Sequence, residues 1–168
     1  AATGQYAIEV NSLAQAQSLA SGIFESSDSI VGGGTLEIEI GTWSSNLGSF
    51  NAQVSHASIS ISSGASLATV RDQINAAQAG VTASIVTDAS GARLTLSAAE
   101  SGLSHQLRIH AGNLEPDSNL SALSYAPDIG AAALNETRAA SNAQVTINGL
   151  AVQSETNTLE GVLDGMTL

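Results

Sequence analysis

The 168-residue chain has no cysteine, no lysine and only two prolines, and aromatic residues make up 3% of it. Without cysteine there is no disulfide, no thiolate nucleophile and no thiolate-ligated zinc. Without lysine, the positive charge rests on Arg71, Arg93, Arg108 and Arg138, set against fifteen acidic residues for a net charge of −11. Isolated arginines do not form the phosphate-neutralising clusters that nucleic acid requires, and an anionic bilayer repels such a chain. Neither nucleic acid nor a membrane is expected as a partner. The scarcity of aromatics argues against an aromatic-lined cleft and leaves Ala, Ser and Gly to fill much of the interior. No apolar run is long enough to span a bilayer, and no signal-peptide pattern is present. The lack of an initiator Met at Ala1 and the strand-like Met166-Thr167-Leu168 at the other end suggest a piece of a longer protein.

Hydrophobic residues amount to 43% and charged ones to only 11%, so a packed core with a Ser/Thr/Asn/Gln surface is expected rather than an acidic disordered segment. Period-2 alternation marks strands over Tyr6–Val10, Thr35–Ile40 (Leu36, Ile38 and Ile40 inward), Gln53–Ser62, Val81–Thr87 and Ala92–Ser97, the last two forming a hairpin. Leu103–His110 reads as one more strand. Gly41 is expected to end its strand, with Trp43–Asn51 as a loop. Ser66 can cap a helix carrying Leu67, Val70 and Ile74, with Gly80 beyond its end. Leu13–Ala20 and Gly130–Ala140 suit either helix or extended chain. Near the C-terminus Asn148-Gly149 sits between Val145-Thr-Ile147 and Leu150-Ala-Val152, a strong hairpin signal because both residues accept positive φ. Asn157-Thr158 is then expected to cap a short amphipathic turn through Leu159, Val162 and Leu163, with Gly165 as its stop. This tail repeats the plan of Ile59–Val70, namely strand, glycine turn and capped Leu-x-x-Val.

Four stretches in order carry a resemblance. Tyr6-Ala-Ile-Glu-Val10 with Leu13–Ala20, then Ile61–Asn75, then Gly80–Leu96, then Ala143–Leu150 with Asn157–Leu168 together resemble the flagellar filament cap family, the flagellar hook-associated protein 2 family. Trp43–Gln53 and Leu114–Arg138 lie outside the resemblance, and Asn142 stands where Asp is expected. The resemblance implies an extracellular structural protein at the growing flagellar tip, with flagellin and further cap subunits as partners. It also implies a ring-like oligomer in the full-length protein, whose terminal helices contact the filament. The fold it implies is mainly β (α+β), two small β-rich domains with a few short helices, one inserted into the other. Some members of the family adhere to mucin or host surfaces, which gives the alternative function, a surface adhesin or glycan-binding module.

The insertion is expected over residues 31–111, with 1–30 and 112–168 forming the second domain. Without the terminal helices the chain is expected to be monomeric or weakly associated, its acidic excess opposing self-packing at low salt. No chemistry converges in the sequence. His105 and His110 are five apart and His56 is distant, the wrong spacing for a metal pair. Gly32-Gly33-Gly34 precedes a strand instead of opening a helix, so it reads as a joint and not a phosphate loop. Glu115–Asn119 lacks the order of a calcium loop, and no Gly-x-Ser-x-Gly elbow occurs. Enzyme is the least favoured class, and no cofactor or metal site is assigned. The candidate contact residues are Trp43 and Phe50, framing a polar loop. If exposed, they would offer a partner or glycan contact; if tucked in, they belong to the core.

Overall fold

The computed structural model describes residues 5–163 and 166–167. Its strands are β1 (Ile8–Ser12), β2 (Ser18–Ala20), β3 (Gly34–Trp43), β4 (Phe50–Ile61), β5 (Val81–Asp88), β6 (Gly91–Ala98) and β7 (Gln106–Gly112). They continue with β8 (Tyr125–Ala126), β9 (Ala131–Ala132), β10 (Asn135–Arg138), β11 (Ala143–Ile147), β12 (Leu150–Ser154), β13 (Glu160–Leu163) and β14 (Met166–Thr167). One α-helix, α1 (Leu67–Ala77), and three short 3₁₀ turns complete the described elements. All strand pairs in register are antiparallel, and the fold is mainly β, as the alternation indicates.

The larger body packs a five-stranded sheet (β4-β3-β7-β8-β9) and a four-stranded sheet (β10-β2-β6-β5) around one apolar cluster. Leu36, Ile38, Ile59, Ile61, Leu107 and Ile109 enter it from the first sheet, and Leu19, Leu94 and Leu96 from the second. Leu67, Val70 and Ile74 project into the same core from α1, the i, i+3, i+7 stripe of an amphipathic helix. Ser66 caps that helix by accepting from the Thr69 amide (3.2 Å). Its C-terminus is closed by Gln78 in the left-handed conformation, before Gly80 is reached. Asn75 then joins the helix to the free edge of β5: its Oδ1 accepts from the Ala83 amide (2.8 Å) and its Nδ2 donates to the Ala83 carbonyl (2.9 Å). An edge strand left open invites pairing with another chain, and this amide blocks part of it.

The smaller body is the sheet β1-β11-β12 with β13 and β14 paired beside it. Its core is Val145, Ile147 and Leu159, with Val152 and Val162 against them. Asn148 and Gly149 turn at φ 49° and 85°, as the Asn-Gly signal requires. The capped helical turn expected after Asn157 is absent. Asn157 instead accepts from the Ala14 amide (2.7 Å) and donates to the Ala14 carbonyl (3.1 Å). Gly161 adopts φ 68°, which breaks a right-handed helix at the position where α1 has Thr69, and β13 forms instead. The likeness between the tail and Ile59–Val70 therefore stops at the hairpin, and Gly165, its expected stop, lies outside the described residues.

The ambiguous stretches resolve as extended chain. Leu13–Ala20 gives β2 and a bridge from Gln15 to Ser141, and Gly130–Ala140 gives β9 and β10. Gly41 does not end β3. A β-bulge sits between Ile40 and Gly41, and a Cβ there would collide with the Asn51 carbonyl, so the glycine permits close approach and the hairpin runs on to Trp43 and Phe50. Leu103–His105 is a 3₁₀ turn ahead of β7. The expected insertion over 31–111 is not what the strands follow. β2 and β10 lie outside those limits yet pair within one sheet with β5 and β6, because Leu19 needs the same core as Leu94 and Leu96.

The two sheets of the larger body meet at Leu107. β8 is only two residues long and pairs with β7 at Ile109, so it stops short of Leu107. Gln17, fully buried, fills the gap: its Oε1 accepts from the Leu107 amide (2.6 Å) and its Nε2 donates to Glu136 on β10. Its own carbonyl accepts from the amide of Ala98 (3.0 Å), the last residue of β6. Replacing Gln17 with Met keeps the volume and removes these side-chain bonds, leaving a buried amide unpaired. The expected loss is about 1–3 kcal/mol of unfolding free energy, read by urea denaturation.

The β5–β6 hairpin supplies a pH test. Asp88 accepts from the Ser90 amide (2.7 Å) and pairs with Arg93 (3.1 Å). The Ser90 hydrogen bonds, and then Arg93, hold its carboxyl below the ordinary aspartate range. A lowered pKa means that the stabilisation is present above the ordinary value and disappears as pH falls through the lowered one. The Ser90 amide resonance should titrate with a midpoint below that of a free aspartate, and Asp88→Asn should abolish the transition.

Candidate functional site at the tip of the long hairpin

Trp43 ends β3 and Phe50 begins β4, directly opposite each other in register. The structure thus brings the two candidate residues together, with ring centroids 4.7 Å apart and planes tilted by 55°. Trp43 is only 6% exposed and belongs to the main apolar cluster, whereas Phe50 is half-buried and packs against it. Trp43 and Tyr125 meet in a T-shaped pair with ring centroids 6.2 Å apart. Burial, followed by the nearby charge of Glu136, raises the pKa of the Tyr125 phenol.

Trp43 has a structural task that its sequence position did not reveal. Its Nε1 donates to the Leu107 carbonyl (3.0 Å), and its own amide donates to Gln106 Oε1 (2.8 Å). Together with Gln17 it completes Leu107, one side chain taking the amide and the other the carbonyl. Beyond it, residues 44–49 form a loop fixed by its own polar groups. Ser44 and Asn46 bond each other (2.8 Å), Asn46 accepts from the Gly48 amide (3.1 Å), and Ser44 accepts from the Ser49 amide (3.1 Å). Leu47, at φ 56°, is the large apolar side chain presented by this loop.

A shallow depression of about 310 Å³ lies at the tip, with Thr42, Ser44, Phe50, Asn51 and Gln53 among its lining. Its polar groups are hydroxyls and amides. Nothing in it pairs a nucleophile with a base, so the tip is suited to contact by shape and hydrogen bonding. Lower on the same sheet, Arg108 donates to Glu39 and to Asp128 (3.0 Å), joining β3 and β7 to the turn after β8. The hydrogen bond to Asp128 is the main cause of the raised pKa of this guanidinium. The pattern carried no signal for this triad, since Asp128 lies in a stretch without periodicity. The second irregular stretch, Leu114–Pro127, is only partly at the surface: residues 113–117 are exposed, but Leu120 and 123–126 are buried. His56 and His110 lie on β4 and β7 and His105 in the turn before β7. Among the described residues no three His, Asp or Glu side chains are grouped to hold a metal ion.

A second feature emerges on the smaller body. Ile8, Val10 and Leu13 line an apolar cleft with Ala143, Val145 and Leu159. The alternation in Tyr6–Val10 places Ile8 and Val10 on one face, but nothing local in the sequence indicates that this face is left uncovered.

Comparison with known proteins agrees with this architecture. The flagellin hook IN motif matches residues 46–100, which hold β4, α1, β5 and β6. The B-type flagellar hook-associated protein 2 of Pseudomonas aeruginosa is 34% identical over 178 residues, covering 99% of this chain and 35% of that protein. The chain therefore spans about a third of the length of the curated relatives it matches along its whole length. Among solved structures, the D2-D3 domains of the flagellar cap protein from Serratia marcescens superpose with a TM-score of 0.82 at 31% identity, covering 99% of this chain and 85% of that one. The D1-D2-D3 domains of the Escherichia coli cap protein give a TM-score of 0.85 at 28% identity, covering 99% of this chain and 45% of that one. Two β bodies, matched over their full extent by cap-protein domains, place the chain in the flagellar hook-associated protein 2 family of filament cap proteins.

Proposed function

We propose that this chain is the β-rich plate region of a flagellar filament cap, a structural subunit outside the cell at the flagellar tip. The observation that supports this most directly is the match of both β bodies, along 99% of the chain, to cap-protein domains. Its partners are other cap subunits and flagellin, and it acts on them without catalysis, as a wall that guides arriving subunits into place. The surface suits that task. Loops such as 44–49 are pinned by their own hydroxyls and amides, so they offer a fixed shape at little entropic cost on contact.

The plate consists of two units divided as the apolar clusters divide, residues 14–140 around the main core and residues 5–13 with 141–163 around Val145, Ile147 and Leu159. Phe50 and Leu47 at the hairpin tip, supported by Trp43 from behind, form the contact to flagellin or to a neighbouring cap subunit. An adhesive role toward mucin or host glycans would fall at this tip to Phe50, since Trp43 itself is withdrawn into the core.

Two experiments in the full-length protein test this reading. Replacing residues 16–140 by a two-glycine turn exploits the Gln15–Ser141 backbone bridge, where the outgoing and returning chain exchange hydrogen bonds of 2.9 and 3.1 Å. The strain should then shed flagellin into the medium instead of building filaments of normal length; normal filaments would overturn the plate reading. In the second, Leu47→Ser with Phe50→Ala should shorten filaments severalfold while leaving the circular dichroism spectrum unchanged. Loss of mucin adherence with normal filament length would instead favour the adhesin, and no change in either would remove the tip from both.

A further inference from the structure

The apolar cleft on the smaller body has no use in the plate reading. Register fixes its composition: Ile8 stands opposite Ile147 and then Leu150, and Val10 opposite Val145 and then Val152, so these side chains share one face of β1-β11-β12. Leu159 covers the middle of that face and buries Val145 and Ile147. It does not reach the β1 side, where Ile8, Val10 and Leu13 are 43%, 59% and 59% exposed. The cleft between them and Leu159 holds about 100 Å³, room for one apolar side chain. The double hydrogen bond from Asn157 to Ala14 holds its two walls together. On a surface otherwise dominated by Ser, Thr and Asn, three large aliphatic neighbours around a preformed cleft mark a contact surface.

We infer that this cleft seats an apolar side chain from the D1 part of the same polypeptide, the domain that accompanies D2 and D3 in relatives. The inference rests on the family reading. The chain covers 85% of a D2-D3 structure but 45% of a D1-D2-D3 structure, so in relatives a body of comparable size shares the polypeptide with the region matched here. The cleft is lined by β1 with Leu13, by Ala143 and Val145 of β11, and by Thr156, Asn157 and Leu159 ahead of the last strand pair. In relatives D1 is on the same polypeptide, and a linked domain meets such a cleft at an effective concentration on the order of millimolar when the linker is short and flexible. A sugar is a poor occupant, because the lining has no aromatic ring and no charged group. A second copy must approach against a net charge of −11 on each partner and has no tether.

Because this chain has no cysteine, single thiols report the cleft cleanly in a cysteine-free full-length protein. Val10→Cys and Leu13→Cys replace exposed side chains, and Ile30→Cys, at a residue 64% exposed on the larger body, serves as the reference. In dilute, monomeric full-length protein the two cleft thiols should react with a maleimide about tenfold or more slowly than the reference, as expected for a site freed only by local opening. Equal rates at all concentrations would leave the cleft open and overturn the inference. Protection that appears only on assembly would assign the cleft to a neighbouring subunit and overturn it equally. Amide exchange over residues 8–13 of the unsubstituted protein checks the result independently of any substitution. Filament growth is not the readout, so failure here and failure of the plate reading are told apart.

Discussion

The larger body depends on how one buried residue is satisfied on its open side. β7 lies in the middle of the five-stranded sheet, but β8 is too short to pair along its whole length. A buried amide or carbonyl without a partner costs a few kcal/mol, so the sheet cannot be closed by apolar packing alone. Gln17 and Trp43 resolve this from opposite directions, one from the segment leading to β2 and the other from the end of β3. Satisfying Leu107 therefore fixes where the four-stranded sheet sits and also anchors the base of the hairpin tip. Ser124 and Ser21 repeat the device on a smaller scale: their buried hydroxyls accept from the amides of Ala111 (3.1 Å) and Leu94 (2.9 Å).

This arrangement explains which features were legible in the sequence. Strands β3, β5 and β6, helix α1 and the Asn148-Gly149 turn are specified by residues a few positions apart, and they form where alternation, capping and turn chemistry indicate. Leu36, Ile38 and Ile40 of β3 and Leu67, Val70 and Ile74 of α1, the apolar positions read from those patterns, are also buried, whereas Leu150 beyond the turn is exposed. What was not legible depends on residues far apart in the chain. Gln17 looks like one polar residue in an Ala/Gln-rich stretch, and its partner Leu107 is 90 positions away. The pairing of β2 with β6 and β10 was hidden for the same reason, since a three-residue strand such as β2 carries almost no periodicity of its own. Trp43 could be read as surface or core, and only its bond to Leu107 decides for core.

The C-terminal segment shows how one residue redirects a local signal. Thr158-Leu159-Glu160-Gly161-Val162 has the spacing of the capped segment that opens α1, and Asn157 could have capped it. Capping requires that the side chain be free to accept from the helix's first amides. Here the Asn157 amide is engaged on both sides by Ala14, where it acts as a substitute strand residue. Gly161 at positive φ then takes the chain out of the right-handed helical region, and the segment pairs as β13 with a register irregularity at that point. Leu159 is buried either way, so the hydrophobic pattern alone could not discriminate between the two structures.

The contacts between the two bodies differ in kind from those within them. Each body has its own apolar cluster, and hydrogen bonds join them: the Gln15–Ser141 pair, the double hydrogen bond between Asn157 and Ala14, Ser101 to the Glu155 carbonyl (2.7 Å) and the Leu103 amide to Asn142 Oδ1 (2.8 Å). The last of these needs only a side-chain oxygen, which Asn142 supplies as well as the Asp expected there. Solvent-accessible hydrogen bonds are each worth about 1 kcal/mol net because water replaces them, whereas opening either core exposes several large aliphatic side chains at about 1.5–3 kcal/mol each. The joint is therefore directional, and opening it costs less than opening either core.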